Sequence, residues 1–386
     1  MPEFESHILP SGAELKIEKH MSPEGLPGTV GHWGEEKRIE DIEHMLSVKG
    51  VRAAELDVKP GFTTIFHNKP DITRKEAIAD DIAVLKKIAT TTLEMRGIEP
   101  SHVDVVGVGA GIPTVDDNGG VVNEAELLGM ELGMRGDVEY LSTYAACASQ
   151  TEVTLKILGE EKFKGKTVLS IGRDGVPWFT HNYDLAYADD FSIRAFSNGA
   201  AGNCFVVGED MKLLKAKHDT VEDTVNALAA QMTYEELIDP ENPSIWQEDN
   251  KRGISMIRYP KPRGIRRLEI NNREAALLFA LNGVPFIGEI SKQYVADNPG
   301  IPISYASIHP ASKGMYEGIV KRLGKLGVQI PASWGKVTDG NCSSPTTWID
   351  HNRSLEEAKA GKRVLIAAFG AGARFAGGVI EYGVRK

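Results

Sequence analysis

The chain has 386 residues, 41% of them hydrophobic and 25% charged, with a formal net charge of −10. That length and apolar fraction suit two domains or one large duplicated core, and they exclude a disordered chain. The acidic balance excludes a general nucleic-acid binder, which needs a basic face.

Three cysteines, Cys147, Cys204 and Cys342, are too few and too scattered for a disulfide framework or a zinc-ligand pattern. No metal ion and no bound cofactor is expected. The first residues, MPEFESHILPSGAELK, contain no apolar signal core, and the longest apolar run, Ala275–Leu281, is far short of a bilayer span. A cytoplasmic, reducing setting is the expectation.

Residues 1–40 are polar with scattered Pro and Gly, and read as loops and short pieces. A helix is expected over Asp41–Leu46. A longer one is expected over Thr73–Arg96, where Ile82, Leu85, Ile88 and Leu93 recur on one side. Val103–Val108 reads as a buried strand entering a Gly turn at 109–113, and Ala125–Gly133 as a helix. Glu124 and Glu126 read as ordinary carboxylates of a helix start.

Val138–Leu158 is the most informative stretch. Tyr140–Tyr144 favours a strand, Val153–Leu158 a helix ended by Gly159, and the small residues Ala145–Ser149 a turn between them. Cys147 would then sit at a helix N-terminus, where free N–H groups and the dipole favour a thiolate. The bland alternative is a buried core cysteine.

Thr167–Gly172 reads as a strand, 173–197 as a long aromatic loop, Asn198–Gly202 as a lead-in and Asn203–Gly208 as the next strand. Helices follow at Val221–Met232, Arg273–Leu281, Glu289–Asp297 and Ser312–Leu323. Strands follow at Ile303–Ile308, Gly361–Phe369 and Val379–Val384, with Gly turns at 370–372 and 376–378. Alternating strands and helices predict an α/β fold of two similar halves, 1–208 and 209–386.

Three features carry chemistry together: Cys147 in AACAS, His309 in IHPAS at the end of a strand, and Asn341 in the tight turn DGNCSS. Singly, His309 reads as a core histidine, Asn341 as a turn residue, and Cys204 and Cys342 as packing. With FSNGAAG at 196–202 and VLIAAFGAGARFAGG at 364–378, in that order, they resemble the β-ketoacyl-acyl-carrier-protein synthase III branch of the thiolase superfamily. GVGAG at 107–111 lacks the spacing of a dinucleotide-binding turn.

The resemblance implies a five-layered αβαβα fold of two duplicated halves and a homodimer. It implies that Cys147 accepts an acyl group from a coenzyme A or carrier-protein thioester. It implies that His309 and Asn341 bind the carbonyl of a malonyl-type thioester and stabilise the enolate as carbon dioxide leaves. The backbone N–H groups of Cys147 and Ala371 would hold the oxyanion. The alternative is plain acyl transfer to an oxygen or nitrogen nucleophile, with His309 as general base.

The pattern departs from the family in places. His44 and Val48 stand where the family has a Trp and an Arg that clasp coenzyme A, Ser312 where an Asn is common, and Asn198 where an Asp is common. A basic stretch, which includes Arg258, Lys261, Arg263, Arg266 and Arg267, contrasts with the acidic whole, and Lys321 and Arg322 follow His309. It reads either as a docking patch for an acidic carrier protein or as a solvated loop.

Overall fold

The computed structural model describes residues 3–48, 60–68, 72, 74–111, 114, 121–175, 194–220, 257–258, 267–268, 279–309, 311–325, 327–328, 338–370 and 374–383. Its first half contains β1 (Glu3–Ile8), β2 (Glu14–Met21), β3 (Pro27–Trp33), β4 (Glu35–Arg38), α1 (Ile39–Val48), β5 (Thr64–His67) and α2 (Arg74–Arg96). Then come β6 (Val105–Ala110), α3 (Glu124–Glu131), β7 (Glu139–Thr143), α4 (Ser149–Gly159), β8 (Thr167–Asp174) and β9 (Gly199–Val206). The second half contains β10 (Met211–Thr220), β11 (Ile257–Arg258), β12 (Arg267–Leu268), α5 (Val284–Asp297), β13 (Tyr305–Ile308), α6 (Lys313–Lys325), α7 (Thr346–Arg353), β14 (Arg363–Gly370) and β15 (Arg374–Tyr382).

Most strands form a seven-stranded sheet, β1-β2-β3-β9-β8-β6-β7, and a four-stranded sheet, β10-β15-β14-β13, while β4–β5 and β11–β12 pair as separate ribbons. In the first, β3–β9 and β8–β9 are antiparallel and β6–β8 is parallel. In the second, β10–β15 and β14–β15 are antiparallel and β13–β14 is parallel. The run β3-β9-β8-β6 therefore has the same order and directions as β10-β15-β14-β13. Duplication is visible as topology although it is faint as letters.

Helix α4 packs on β6 and β8 of one sheet and on β10 and β15 of the other, and α7 does the same with β3, β9 and β13. Helices α2 and α3 cover the outer face of the first sheet, and α5 lies against β10 and β15 on the outside of the second. The layers are thus αβαβα. Two helices between sheets must hide most of their surface. In α4, residues 149–158 are buried except Glu152 and Lys156, and in α7 all residues are buried except Arg353.

Helix α7 is polar, so it satisfies its groups internally. Asn352 Nδ2 donates to the Thr29 carbonyl at 3.0 Å, Asn203 Nδ2 donates to Asn352 Oδ1 at 2.6 Å, and Ser307 Oγ donates to Asp350 at 2.6 Å. This polarity hides α7 from any apolar-periodicity reading of the sequence.

Three expectations need correction. Residues 1–40 are not loops: β1 and β2 form a hairpin on the edge of the large sheet, beside β3. The two-residue period was present, with Leu15 and Ile17 buried between charged neighbours. The stretches 199–202 and 376–378 are strand, not lead-in or turn. Their small residues answer to packing: a Cβ on Gly199 would lie 2.4 Å from Cys342 Sγ, and one on Gly378 2.7 Å from the Lys215 carbonyl. The helices expected at Val221–Met232 and over most of Arg273–Leu281 lie outside the described residues.

Gly109, at the end of β6, lets the strand meet the start of α4. A Cβ there would lie 2.2 Å from the Gln150 nitrogen. Gly109→Ala should lower the unfolding free energy by about 1–3 kcal/mol, read as a lower urea midpoint. Gly136→Ala, with nothing within 4 Å of the added atom, should stay within about 0.5 kcal/mol of the parent. Equal midpoints for the two variants would contradict this packing.

Candidate active site

The turn after β7 carries Cys147. Ala146–Ala148 form one 3-10 turn that runs directly into α4, so the cysteine sits just ahead of the helix start rather than inside it. Ala146 has φ of 48°, a left-handed conformation that a β-carbon disfavours. Ser149 holds the turn: its Oγ accepts the Ala145 N–H at 2.7 Å and donates to the Ala110 carbonyl at 2.9 Å. Cys147 is partly exposed, whereas Cys204 and Cys342 are buried. Burial pushes the Cys342 thiol far up, out of the thiolate range. Of the three, Cys147 is the one a substrate can reach.

His309 follows β13. Its N–H donates to the Ala367 carbonyl of β14 at 2.8 Å, extending the parallel ladder by one step. Three residues further along, Gly370 closes on the cysteine turn: a Cβ there would lie 2.3 Å from the Ala145 carbonyl. Ala145, Ala148, Ala368 and Ala376 fill the space between turn and strands. Strand β14 thus runs from the histidine's backbone partner to the cysteine turn. His309 is 2% exposed. Burial lowers its pKa to about 3, which keeps the imidazole neutral. Its Nδ1 has no hydrogen-bond partner among the described residues.

Asn341 is 4% exposed and lies in a turn bridged to Phe196. Its N–H donates to the Ala195 carbonyl at 2.6 Å. Its side-chain Oδ1 accepts the Ser343 N–H at 2.8 Å and the Thr346 hydroxyl at 3.2 Å. With the oxygen held by its own turn, the amide is fixed and Nδ2 is the end that can donate to a ligand. Ser344 completes the assembly: its Oγ accepts the Gln150 N–H at 3.1 Å and donates to the Gly109 carbonyl at 2.9 Å. The asparagine turn and the start of the cysteine helix are thereby fastened together.

A buried charge cluster, drawn from residues far apart in the chain, supports this junction. Asp174, at the end of β8, accepts the Gly111 N–H at 2.8 Å and the Ser344 N–H at 2.9 Å. Its neighbour Arg173 donates to Asp81 at 2.5 Å and to the Thr114 hydroxyl at 2.5 Å, and also pairs with Glu124. Burial raises the pKa of Asp174 to about 6 and of Asp81 to about 7, against the pull of Arg173. Glu124 is therefore not an ordinary helix-start carboxylate. It is fully buried and charge-paired, whereas Glu126 is exposed.

The other positions are placed as follows. Asn198 donates to the Trp33 carbonyl at 3.0 Å and to Asn68 at 2.9 Å, a structural post for an amide. Ser312 Oγ accepts the Met315 N–H at 3.3 Å at the start of α6. Lys321 and Arg322 are exposed on α6. Ala371, Lys261, Arg263 and Arg266 lie outside the described residues. Arg258 and Arg267 stand opposite each other in the β11–β12 ribbon. Exposed His44 is on α1 with Val48.

No protein-family model matches the chain, and no curated protein matches it. Solved structures do. The priming β-ketosynthase of the R1128 polyketide pathway is 16% identical, with a TM-score of 0.64 over 95% of this chain and 98% of that one. The 3-oxoacyl-[acyl-carrier-protein] synthase III of Aquifex aeolicus VF5 is 15% identical, with a TM-score of 0.62 over 98% and 100%. The 1,3,6,8-tetrahydroxynaphthalene synthase of Streptomyces coelicolor A3(2) is 12% identical, with a TM-score of 0.67 over 93% and 99%. The chain has the thiolase-type αβαβα fold of these structures.

The depressed pKa of His309 gives a signed pH dependence. A buried neutral histidine contributes stability above its unfolded pKa of about 6.5, and loses it as pH falls toward the folded value. His309→Asn should therefore flatten the pH dependence of unfolding by about 1.4 kcal/mol per pH unit between about pH 6 and pH 4. Urea titrations of both proteins across that range check it, and parallel curves would contradict a neutral buried imidazole.

Proposed function

We propose that the protein is an acyltransferase that performs a decarboxylative Claisen condensation. The Cys147 thiolate attacks an acyl thioester, forming the acyl–sulfur bond and releasing the donor thiol. A malonyl-type thioester then binds with its carbonyl toward His309 and Asn341. Loss of carbon dioxide leaves its electron pair as an enolate, and the two side chains donate hydrogen bonds to the developing charge. The carbanion attacks the acyl–Cys147 carbonyl. A carbon–carbon bond forms, the sulfur leaves as thiolate, and the product is a β-ketoacyl thioester.

The observation that carries this reading is the fastening of the asparagine turn to the cysteine helix through Ser344, with β14 running from His309 to the same cysteine turn. The neutral state of His309 fits a hydrogen-bond donor to an enolate better than an ionic partner. An oxyanion hole formed by the backbone N–H groups of Cys147 and Ala371 belongs to the same proposal.

Coenzyme A or an acyl carrier protein would deliver both acyl groups. An acidic carrier would meet Lys321 and Arg322 on the helix that follows His309, with Arg258, Lys261, Arg263, Arg266 and Arg267 as a second basic patch. The protein would act as a homodimer in the cytoplasm, its halves divided near residue 208. No helix among the described residues is long and apolar enough to cross a membrane.

Intact-protein mass spectrometry with a panel of acyl thioesters should add one acyl group to the wild type and none to Cys147→Ala. His309→Ala and Asn341→Ala should retain acylation, but lose at least about a hundredfold in carbon dioxide release from a malonyl thioester. Acylation without carbon dioxide release in the wild type, with an ester or amide formed instead, would overturn condensation in favour of plain acyl transfer.

A further inference from the structure

Behind the Asn341 turn, the N-terminal hairpin contributes to a second polar cluster. Glu18 of β2, His32 of β3, Asp339 ahead of Asn341 and Arg353 at the end of α7 meet there. His32 is 3% exposed and stacks on the Phe66 ring with centroids 4.9 Å apart. Its Nδ1 lies 2.9 Å from the Asn198 carbonyl oxygen, which can only accept, so Nδ1 carries the proton.

Nε2 has no hydrogen-bond partner among the described residues, and the nearest carboxylate oxygen, Asp339 Oδ2, lies 3.6 Å away. That separation is too long for a hydrogen bond, and leaving both buried atoms without a partner for each other is costly unless a positive centre lies between them.

One donor atom from each of Glu18, His32 and Asp339 falls within 4.8 Å of the others. Ligands about 2.1 Å from a tetrahedral zinc ion stand about 3.4 Å apart, close to the 3.6 Å found between His32 and Asp339. We propose that Glu18, His32 and Asp339 form a site for a first-row divalent metal ion of the zinc type, with its remaining position open to water.

Arg353 holds the carboxylates from the other side. Its Nε donates to Glu18 Oε2 at 2.9 Å, and its Nη2 bridges Glu18 Oε1 and Asp339 Oδ2. Each carboxylate oxygen has two acceptor directions, so the guanidinium and a metal ion can share them, the former as an orienting partner. Two carboxylates and one guanidinium leave a net negative charge for the cation. His20 Nε2, 3.1 Å from Glu18 Oε2, lies at the rim.

The consequence reaches the active site. Asp339 is two residues from Asn341, and Glu18 belongs to the edge hairpin. A bound ion would tie the hairpin to the asparagine turn, making it a positioning element and not a reactant. Spacing could not reveal such a site, because its ligands come from β2, β3 and a turn more than 300 residues later.

Full-length protein, stripped with chelator and alkylated at Cys147, is titrated with zinc chloride by calorimetry and assayed for bound metal by mass spectrometry. One zinc ion per chain is expected, and Co²⁺ should give the visible absorption of a four-coordinate site. Glu18→Gln and Asp339→Asn, each shown to be folded by circular dichroism, should weaken zinc binding at least about tenfold. Failure of the wild type to retain stoichiometric zinc would overturn the proposal. So would equal affinity in both variants. Neither result bears on acylation of Cys147.

Discussion

Everything at the site depends on one contact between the two halves of the chain. The Ser344 hydroxyl takes the N–H of Gln150 and gives its proton to the carbonyl of Gly109. The first N–H groups of an α-helix have no partner within the helix. Here one of them is satisfied by a residue from the opposite half. The asparagine turn cannot drift from the cysteine helix without leaving that donor unsatisfied in a buried place, at a cost of about 1–3 kcal/mol. Asp174 reinforces the junction from below by taking the N–H groups of Gly111 and Ser344 together.

The buried carboxylates make that reinforcement pH-sensitive in a direction opposite to the histidines. Asp174 and Asp81 have pKa values raised by burial to about 6 and about 7. Their contribution is fully present below the unfolded value of about 3.9, and is lost as pH rises through those raised values. His309 and His351, lowered by burial to about 3 and about 4, contribute above about 6.5 and lose that contribution on acidification. The two trends oppose each other between roughly pH 4 and pH 6, so a single buried group is read more cleanly from a variant than from the parent curve alone.

Much of this was legible in the letters. The strands at β6, β8, β13 and β14 contain near-continuous apolar runs, and small residues around Cys147 mark a tight strand-to-helix turn. What stayed hidden has physical causes. Helix α7 is buried among polar partners, so it has no apolar stripe. The stretches 199–202 of β9 and 376–378 of β15 are Gly and Ala because neighbours approach too closely for larger side chains, which disguises these parts of two otherwise legible strands. The charge cluster of Arg173, Asp81, Glu124 and Asp174 joins residues from three segments, and no local spacing announces it. The hairpin β1–β2 carries its signal in Leu15 and Ile17 alone, diluted by charged residues on the other face.

The central claim is that one cysteine and two partners from the other half act on a single pair of substrates. Single-turnover mixing tests it most directly. Enzyme preloaded with an acyl group on Cys147 is mixed with a malonyl thioester labelled in its free carboxyl, and the protein mass and released label are followed together. The account predicts that the acyl mass disappears and one labelled carbon dioxide appears per chain with the same rate constant, yielding one β-ketoacyl thioester. Label released at an undiminished rate from enzyme lacking the acyl group and the Asn341 side chain, or acyl loss with no label released, would contradict it.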